Sequence, residues 1–131
     1  KRLSEMDGNK LRRLVFDEEM AFTNEVERLE KFFNITKDGT VLLKKDITEK
    51  PYLMLVYLVG RRVAKILGLI KEDAFTLGEL TVLTGLSANE LIELLSKSKY
   101  YTYVGRGSYS LNSLFIKQVL DELEKLNTSK A

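Results

Sequence analysis

The chain has 131 residues, of which 44% are hydrophobic and 31% are charged, the balance of a folded domain. It has no cysteine and no histidine, which excludes disulfides, thiolate metal centres and Ser-His catalysis. The 21 Lys and Arg residues against 19 Asp and Glu give a net charge of +2, without the strong basicity of a dedicated nucleic-acid domain. We therefore expect a binding protein rather than an enzyme, with no metal and no cofactor.

The hydropathy pattern argues against a membrane protein. The longest apolar run is the eight residues from Tyr52 to Val59, whereas a membrane span needs about twenty. The first residues do not have the pattern of a signal peptide. We expect a soluble, cytoplasmic protein without a membrane partner.

The N-terminal part, residues 1–46, is predicted to begin with one helix. Its apolar residues recur mostly three, four or seven positions apart, which indicates a helical stripe after a break at residues 7–9. The pair Asn24 and Glu27 has the spacing of a helix cap and predicts an interruption near Thr23. The stripe serves either packing within the chain or dimerisation with a second copy.

Two shorter patterns in this part leave alternatives open. A basic group at residues 10–13 precedes an acidic group at residues 17–19, so this region is either an arm that reaches DNA phosphates or a helix with balanced charges. A turn signal at residues 37–40 is followed by an apolar run at residues 41–43. This run forms either a hairpin with residues 34–36 or a lone strand.

The next predicted helix, residues 51–69, begins with Pro51, which suits the first turn of a helix. Its first half is apolar on nearly every position, as in a helix at the centre of a domain. Its second half carries Arg61, Arg62 and Lys65. These three cations either contact a DNA backbone or belong to a solvated helix face.

Two short helices with matching caps follow. Thr76 precedes Glu79 by three positions, and Ser87 precedes Glu90 by three, which is the spacing of two capping boxes. Gly85 suits the left-handed position just past a helix end. A turn of three residues between two short helices is typical of a helix-turn-helix. The predicted helices span residues 76–84 and 88–97.

A hairpin and a last helix complete the predicted order. Residues 100–111 are rich in tyrosine and β-branched residues around Gly105-Arg106-Gly107, which predicts two strands and a tight turn. An apolar stripe over residues 113–126 predicts a helix, capped by Asn112 or Ser113.

From residue 51 to residue 126 the chain resembles the winged helix-turn-helix family of transcription regulators. Thr81 is the small residue four positions before the turn glycine, and Leu86 and Ser87 follow that glycine. Leu91 and Leu94 match the core positions of the second helix, and the hairpin follows directly. The resemblance implies a mainly α (α+β) fold, with residues 47–131 as the winged helix domain and residues 1–46 as an N-terminal helical extension.

The resemblance also implies a DNA-binding surface, because in this family the second helix of the pair enters the major groove. Asn89 can read adenine, Glu93 can accept from cytosine, and Arg106 at the hairpin tip can enter a minor groove. The positions matched to this surface are Ser87, Ala88, Asn89, Ile92, Glu93, Ser96, Lys97, Lys99 and Arg106.

Two functions are therefore expected as alternatives. The first is a dimeric DNA-binding transcription regulator, whose partners are double-stranded DNA and a second copy of the chain. The second is a protein–protein interaction module within a larger nucleic-acid-processing complex. It is favoured by the acidic residues Glu90 and Glu93, by the apolar Ile92 and by a tyrosine-rich hairpin able to anchor a protein partner.

Overall fold

The computed structural model describes the backbone of residues 10–130 and the side chains of residues 10–126. The predicted break at residues 7–9 lies outside the described residues. The fold is α+β, as expected. In the described part of the chain, no helix is long and apolar enough to cross a membrane. The helices are α1 (Glu18–Thr23), α2 (Val26–Leu29), α3 (Lys50–Ile66), α4 (Leu77–Thr84), α5 (Ala88–Lys97) and α6 (Ile116–Lys130). The strands are β1 (Phe33–Ile35), β2 (Val41–Leu43), β3 (Phe75–Thr76), β4 (Tyr101–Gly105) and β5 (Ser108–Leu111).

The prediction of one long N-terminal helix is wrong. A short 3-10 turn at Arg12–Leu14 is followed by extended backbone, and α1 begins only where the Asp17 side chain accepts from the backbone N–H of Met20 at 3.0 Å. The interruption near Thr23 is confirmed. However, Asn24 ends α1 instead of capping α2, because its N–H bonds back to carbonyls of the preceding turn.

The predicted apolar stripe is divided between the interior and the surface. Phe22, Leu29 and Phe33 are buried in the core, whereas Leu11 and Val15 are exposed. A continuous seam for a helical dimer is therefore absent from residues 10–35, because the chain bends at Asp17 and Thr23 and turns part of the stripe inward.

Strands β1 and β2 form an antiparallel hairpin, which decides between the hairpin and the lone strand. Ile35 lies opposite Val41, and the Thr36 N–H donates to the Thr40 carbonyl at 2.9 Å. Gly39 in the turn has φ +89°, and a Cβ there would lie 2.5 Å from Cγ2 of Ile70. The turn thus needs glycine both for its backbone conformation and for close packing.

Helix α3 is the centre of the core, as its apolar first half predicts. Met54, Leu58 and Val59 are fully buried. Phe22 and Phe33 belong to the same hydrophobic cluster, so both predicted parts of the chain contribute to one core.

Residues 75–111 place a helix pair against a small sheet. Both predicted capping boxes are present at Thr76 and Ser87, and Gly85 ends α4 with φ +76°. Strand β5 lies between β3 and β4, and both neighbours are antiparallel to it. Strand β3 was not expected from the sequence, because two residues are too few for an alternating pattern.

The hairpin and the last helix lie close to their predicted positions. Tyr101 pairs with Leu111 and Tyr103 with Tyr109, with an irregular register between Tyr103 and Gly105. The last helix starts with a 3-10 turn at Ser113–Phe115, and the Asn112 side chain accepts from the Leu114 N–H at 3.4 Å. Asn112 is therefore the capping residue.

Candidate nucleic-acid interface

Helix α5 has one face buried in the core and the opposite face exposed to solvent. Leu91 and Leu95 are buried against the core, because the Ser87 cap starts the helix with these positions turned inward. The opposite face follows the spacing i, i+3, i+4, i+7 and i+8 from Asn89, so its side chains form one continuous surface. The exposed predicted residues on α5 and its cap are Ser87, Ala88, Asn89, Ile92, Glu93, Ser96 and Lys97.

The charges on this face are largely paired locally. The Lys97 Nζ lies 2.8 Å from Oε1 of Glu93, one helical turn away, and both side chains are exposed. The Glu90 carboxylate accepts from the Ser87 N–H at 3.2 Å as part of the cap. An exposed ion pair contributes less than about 1 kcal/mol, so Lys97 can exchange Glu93 for a phosphate oxygen at small cost. Ile92 is 46% exposed between these charges.

The tip of the β4–β5 hairpin holds Arg106 in a fixed turn. Gly105, Arg106 and Gly107 all have positive φ, at +93°, +53° and +70°. The Gly107 N–H donates to the Tyr103 hydroxyl at 3.0 Å, and the Gly107 carbonyl accepts from the Leu77 N–H at 2.9 Å. The turn is thus pinned both to its own strand and to the start of α4, and Arg106 is presented to solvent.

Tyr103 was not among the predicted site residues, although it helps to fix the tip. Its ring packs edge-on against Tyr109, with ring centroids 5.2 Å apart. The sequence alone does not show that these two rings lie side by side, because their pairing depends on the register of the hairpin. The sequence signal that could have found this role is the tyrosine two positions before the Gly-Arg-Gly turn.

Lys99 lies at the base of the hairpin rather than at its tip. Its Nζ is 4.9 Å from the ring centroid of Phe115 and 6.0 Å from that of Tyr100. Its carbonyl accepts from the Asn112 side chain at 3.2 Å. The ammonium is therefore held over an aromatic surface while it stays exposed.

The interpretation of the basic residues on α3 as a solvated helix face fits Lys65, which is 45% exposed, but not Arg61 and Arg62, which are partly buried. Arg62 bonds to Asp73 and Glu18 inside the fold, and Lys65 lies 3.5 Å from Asp73. Arg61 covers the ring of Phe75 with its guanidinium carbon 4.6 Å from the centroid, and it donates to the Glu72 carbonyl. These cations are used within the chain, because the segment before β3 folds back onto α3.

The tyrosines at the base of the hairpin border a groove with α3 and α6. Tyr101 is largely removed from solvent, and this burial raises the pKa of its hydroxyl, with a further contribution from Glu122. Burial likewise raises the pKa of Tyr100, aided by Glu122. Tyr103, on the same strand as Tyr101, is by contrast 58% exposed.

Fold and site together define an α+β protein with a capped helix pair, an exposed second helix and a hairpin with an arginine at its tip. Comparison of the chain with family models, with curated proteins and with solved structures finds no match.

Proposed function

We propose that the protein binds double-stranded DNA as a winged helix-turn-helix module of a transcription regulator. The single observation that carries the proposal is the pinned Gly105-Arg106-Gly107 tip, which follows a capped helix pair with one exposed face. The β3-β5-β4 order also supports it, because it joins the hairpin to the strand that precedes the helix pair.

Each part of this surface has a distinct role in the proposed complex. Helix α5 enters the major groove, where the Asn89 side chain is the best-suited base reader. Lys97 and Lys99 meet phosphates, and Arg106 enters the neighbouring minor groove. Glu90 stays in the cap of α5, so its carboxylate is already bonded when DNA approaches.

The alternative function, a protein–protein interaction module, is favoured by two exposed apolar residues on the helix pair. Val82 on α4 is 87% exposed and Ile92 on α5 is 46% exposed. Such residues gain by contact with an apolar partner surface and gain little from a phosphate backbone. This alternative predicts weak DNA binding at physiological salt.

The test is fluorescence anisotropy of a labelled random-sequence duplex with the full chain at about 50 and 200 mM salt, since phosphate contacts release counterions. We expect micromolar affinity that falls steeply with salt. Arg106→Asn and the pair Lys97→Gln, Lys99→Gln should each weaken binding, and each lost phosphate contact should lower the salt slope by about 1. Lys37→Gln in the β1–β2 turn removes the same charge and is the matched control.

Asparagine tolerates positive φ, so Arg106→Asn keeps the turn while it removes the cation.

The outcomes separate the two functions. Absence of binding at the lower salt, or equal losses in the Lys37→Gln control and the site variants, would overturn the DNA proposal. The protein–protein alternative would then stand first, with Val82 and Ile92 as its contact residues.

A further inference from the structure

An apolar surface near the N-terminal end of the described chain is not covered by any of the described residues. Leu11, Leu14, Val15 and Phe16 are 60%, 79%, 71% and 41% exposed. They occupy four of six consecutive positions, from the residue before the 3-10 turn to the extended backbone before α1. Single exposed apolar residues are ordinary on protein surfaces, but a contiguous group marks an interaction site.

The surface continues onto the hairpin and the start of the last helix. Phe16, Val104 and Leu114 line one open groove of about 510 Å³. Val104 is 52% exposed and Leu114 is 60% exposed, and polar residues such as Thr102 and Asn112 line much of the rest of the groove. β4 is also an edge strand, paired only with β5 among the described strands.

The charges that flank this surface have opposite signs at its two ends. Lys10, Arg12 and Arg13 precede the apolar residues, and Asp17, Glu18 and Glu19 follow them. Within residues 10–126, no ion pair is formed by Lys10, Arg12, Arg13 or Glu19. Glu18 is the exception at the acidic end, since it contacts Arg62.

We propose that a second copy of this chain covers the surface across a two-fold axis, with residues 10–19 of the two copies antiparallel near Val15. A two-fold interface brings the same surface of each copy together in opposite directions. The basic end of one segment therefore faces the acidic end of the other, while the exposed apolar residues meet in the middle.

The charge pattern is what selects a second copy as the occupant. A surface with basic charge at one end and acidic charge at the other is complementary to itself when reversed, and a uniformly charged partner would be repelled at one end. The middle of the segment is extended, with ψ of 121° at Val15 and 95° at Asp17, between the 3-10 turn and α1. Close approach of the two copies is therefore expected at residues 15–17, where the backbone is extended.

The test uses light scattering on a sizing column with the full chain and two oppositely charged variants, without DNA. One variant carries Arg12→Glu and Arg13→Glu, which makes both ends acidic. The other carries Asp17→Asn and Glu19→Lys, which removes the net negative charge of residues 17–19; asparagine retains the cap of α1. We expect the unmodified chain to elute at twice its 15.0 kDa mass and each variant alone at one chain mass.

The decisive sample is the equimolar mixture of the two variants at the same total concentration. Because the acidic residues 17–19 of the first variant can face the basic residues 10–13 of the second, we expect the two-chain mass to return. A third variant, Leu14→Ser with Val15→Ser, should raise the dimer dissociation constant at least about tenfold, the factor that corresponds to 1.4 kcal/mol. Leu42→Ser removes a residue of similar exposure on β2 and is the control.

Three results would overturn the proposal. The first is a monomeric unmodified chain at about 100 μM, and the second is a dimer in both charge variants. The third is a mixture of the two variants that stays monomeric although each variant is folded, as judged by its circular dichroism spectrum. Because no DNA is present, any of these results leaves the proposed DNA binding unaffected.

Discussion

The guanidinium of Arg62 donates from Nε to Oδ2 of Asp73 at 2.6 Å, and both side chains are almost removed from solvent. The same guanidinium donates to Ser113 Oγ at 2.7 Å and to the Leu111 carbonyl at 3.1 Å, and it contacts Glu18. Burial disfavours its charge, but the bonds to Asp73 and Glu18 outweigh burial and raise the Arg62 pKa. One arginine therefore ties α1, the loop before β3 and the end of β5 to α3.

We expect Arg62→Met to lower the free energy of unfolding by about 3 kcal/mol, because it leaves two carboxylates without their buried partner. Urea unfolding followed by circular dichroism measures this change. Lys65→Met is the control, since Lys65 also pairs with Asp73 but is 45% exposed, and its loss should be below about 1 kcal/mol. Equal losses in the two variants would show that Arg62 does not carry the network.

A second prediction concerns the contact between α3 and the β1–β2 hairpin. Gly60 is buried in α3, and a Cβ at this position would lie 2.6 Å from Cγ2 of Val41. Alanine favours helix by about 1 kcal/mol over glycine, but overpacking of a core costs about 1–3 kcal/mol. We expect Gly60→Ala to destabilise the protein, by about 1 kcal/mol in urea unfolding.

The double variant Val41→Ala, Gly60→Ala tests whether the contact with Val41 causes the loss of stability. Val41→Ala makes room for the added methyl group, so Gly60→Ala in that background should stabilise the protein by its helix propensity. If Gly60→Ala has the same destabilising effect in both backgrounds, the contact with Val41 is not the reason.

These contacts show where sequence reasoning succeeds and where it stops. The caps at Thr76 and Ser87 were predictable, because a capping box joins residues three positions apart and depends on little else. The partners of Arg62 were not, since Glu18 lies 44 positions away and Ser113 lies 51 positions away. Only the fold brings such residues together.

The N-terminal helix and the site show the same limit. Periodic apolar spacing from Leu11 to Phe33 has the form of one helix, but the Asp17 cap restarts the helix and tertiary packing divides the stripe. The exposure of Ile92 and Lys97 follows from local helix periodicity and could be read in advance. The hydrogen bond from Gly107 to Tyr103 could not be predicted from the sequence, because it depends on the register of the hairpin. Whether this surface binds DNA stays a prediction.

The turn between α4 and α5 gives a third prediction, with two glycines as a matched pair. Gly85 has φ +76°, whereas Gly78 lies in α4, and a Cβ there would make only an ordinary contact of 3.9 Å with Oγ1 of Thr76. Gly85→Ala should destabilise the protein by about 1 kcal/mol, because alanine resists the left-handed conformation. Gly78→Ala should instead be stabilising by about 0.5–1 kcal/mol, because it replaces glycine inside a helix. Thermal unfolding compares the two, and a Gly85→Ala variant as stable as Gly78→Ala would contradict the assigned turn.

A fourth prediction concerns Arg28, which joins α2 to the last helix. Its Nη2 lies 2.6 Å from Oε1 of Glu124 and 2.6 Å from Oδ1 of Asp121. The hydrogen bond from Arg28 lowers the pKa of Glu124 below its ordinary value, against a smaller opposing effect of burial. A carboxylate with a lowered pKa in the folded state stabilises the protein above its unfolded pKa, which is about 4.3 for glutamate.

This stabilisation is lost as pH falls from about 4.3 through the lowered pKa of Glu124, because the protonated carboxyl no longer attracts the guanidinium. We therefore expect Arg28→Gln to cost about 1 kcal/mol at pH 7, since the pair is partly exposed, and much less at pH 3. Urea unfolding at both pH values measures the difference, and an NMR titration should show the Glu124 pKa returning upward in Arg28→Gln. Lys31→Gln is the control, because its Nζ lies 3.8 Å from Glu124 and is more exposed, so its effect should be small at either pH. A cost of Arg28→Gln that is the same at pH 3 and pH 7 would mean that packing, and not the charge on Glu124, makes Arg28 stabilising.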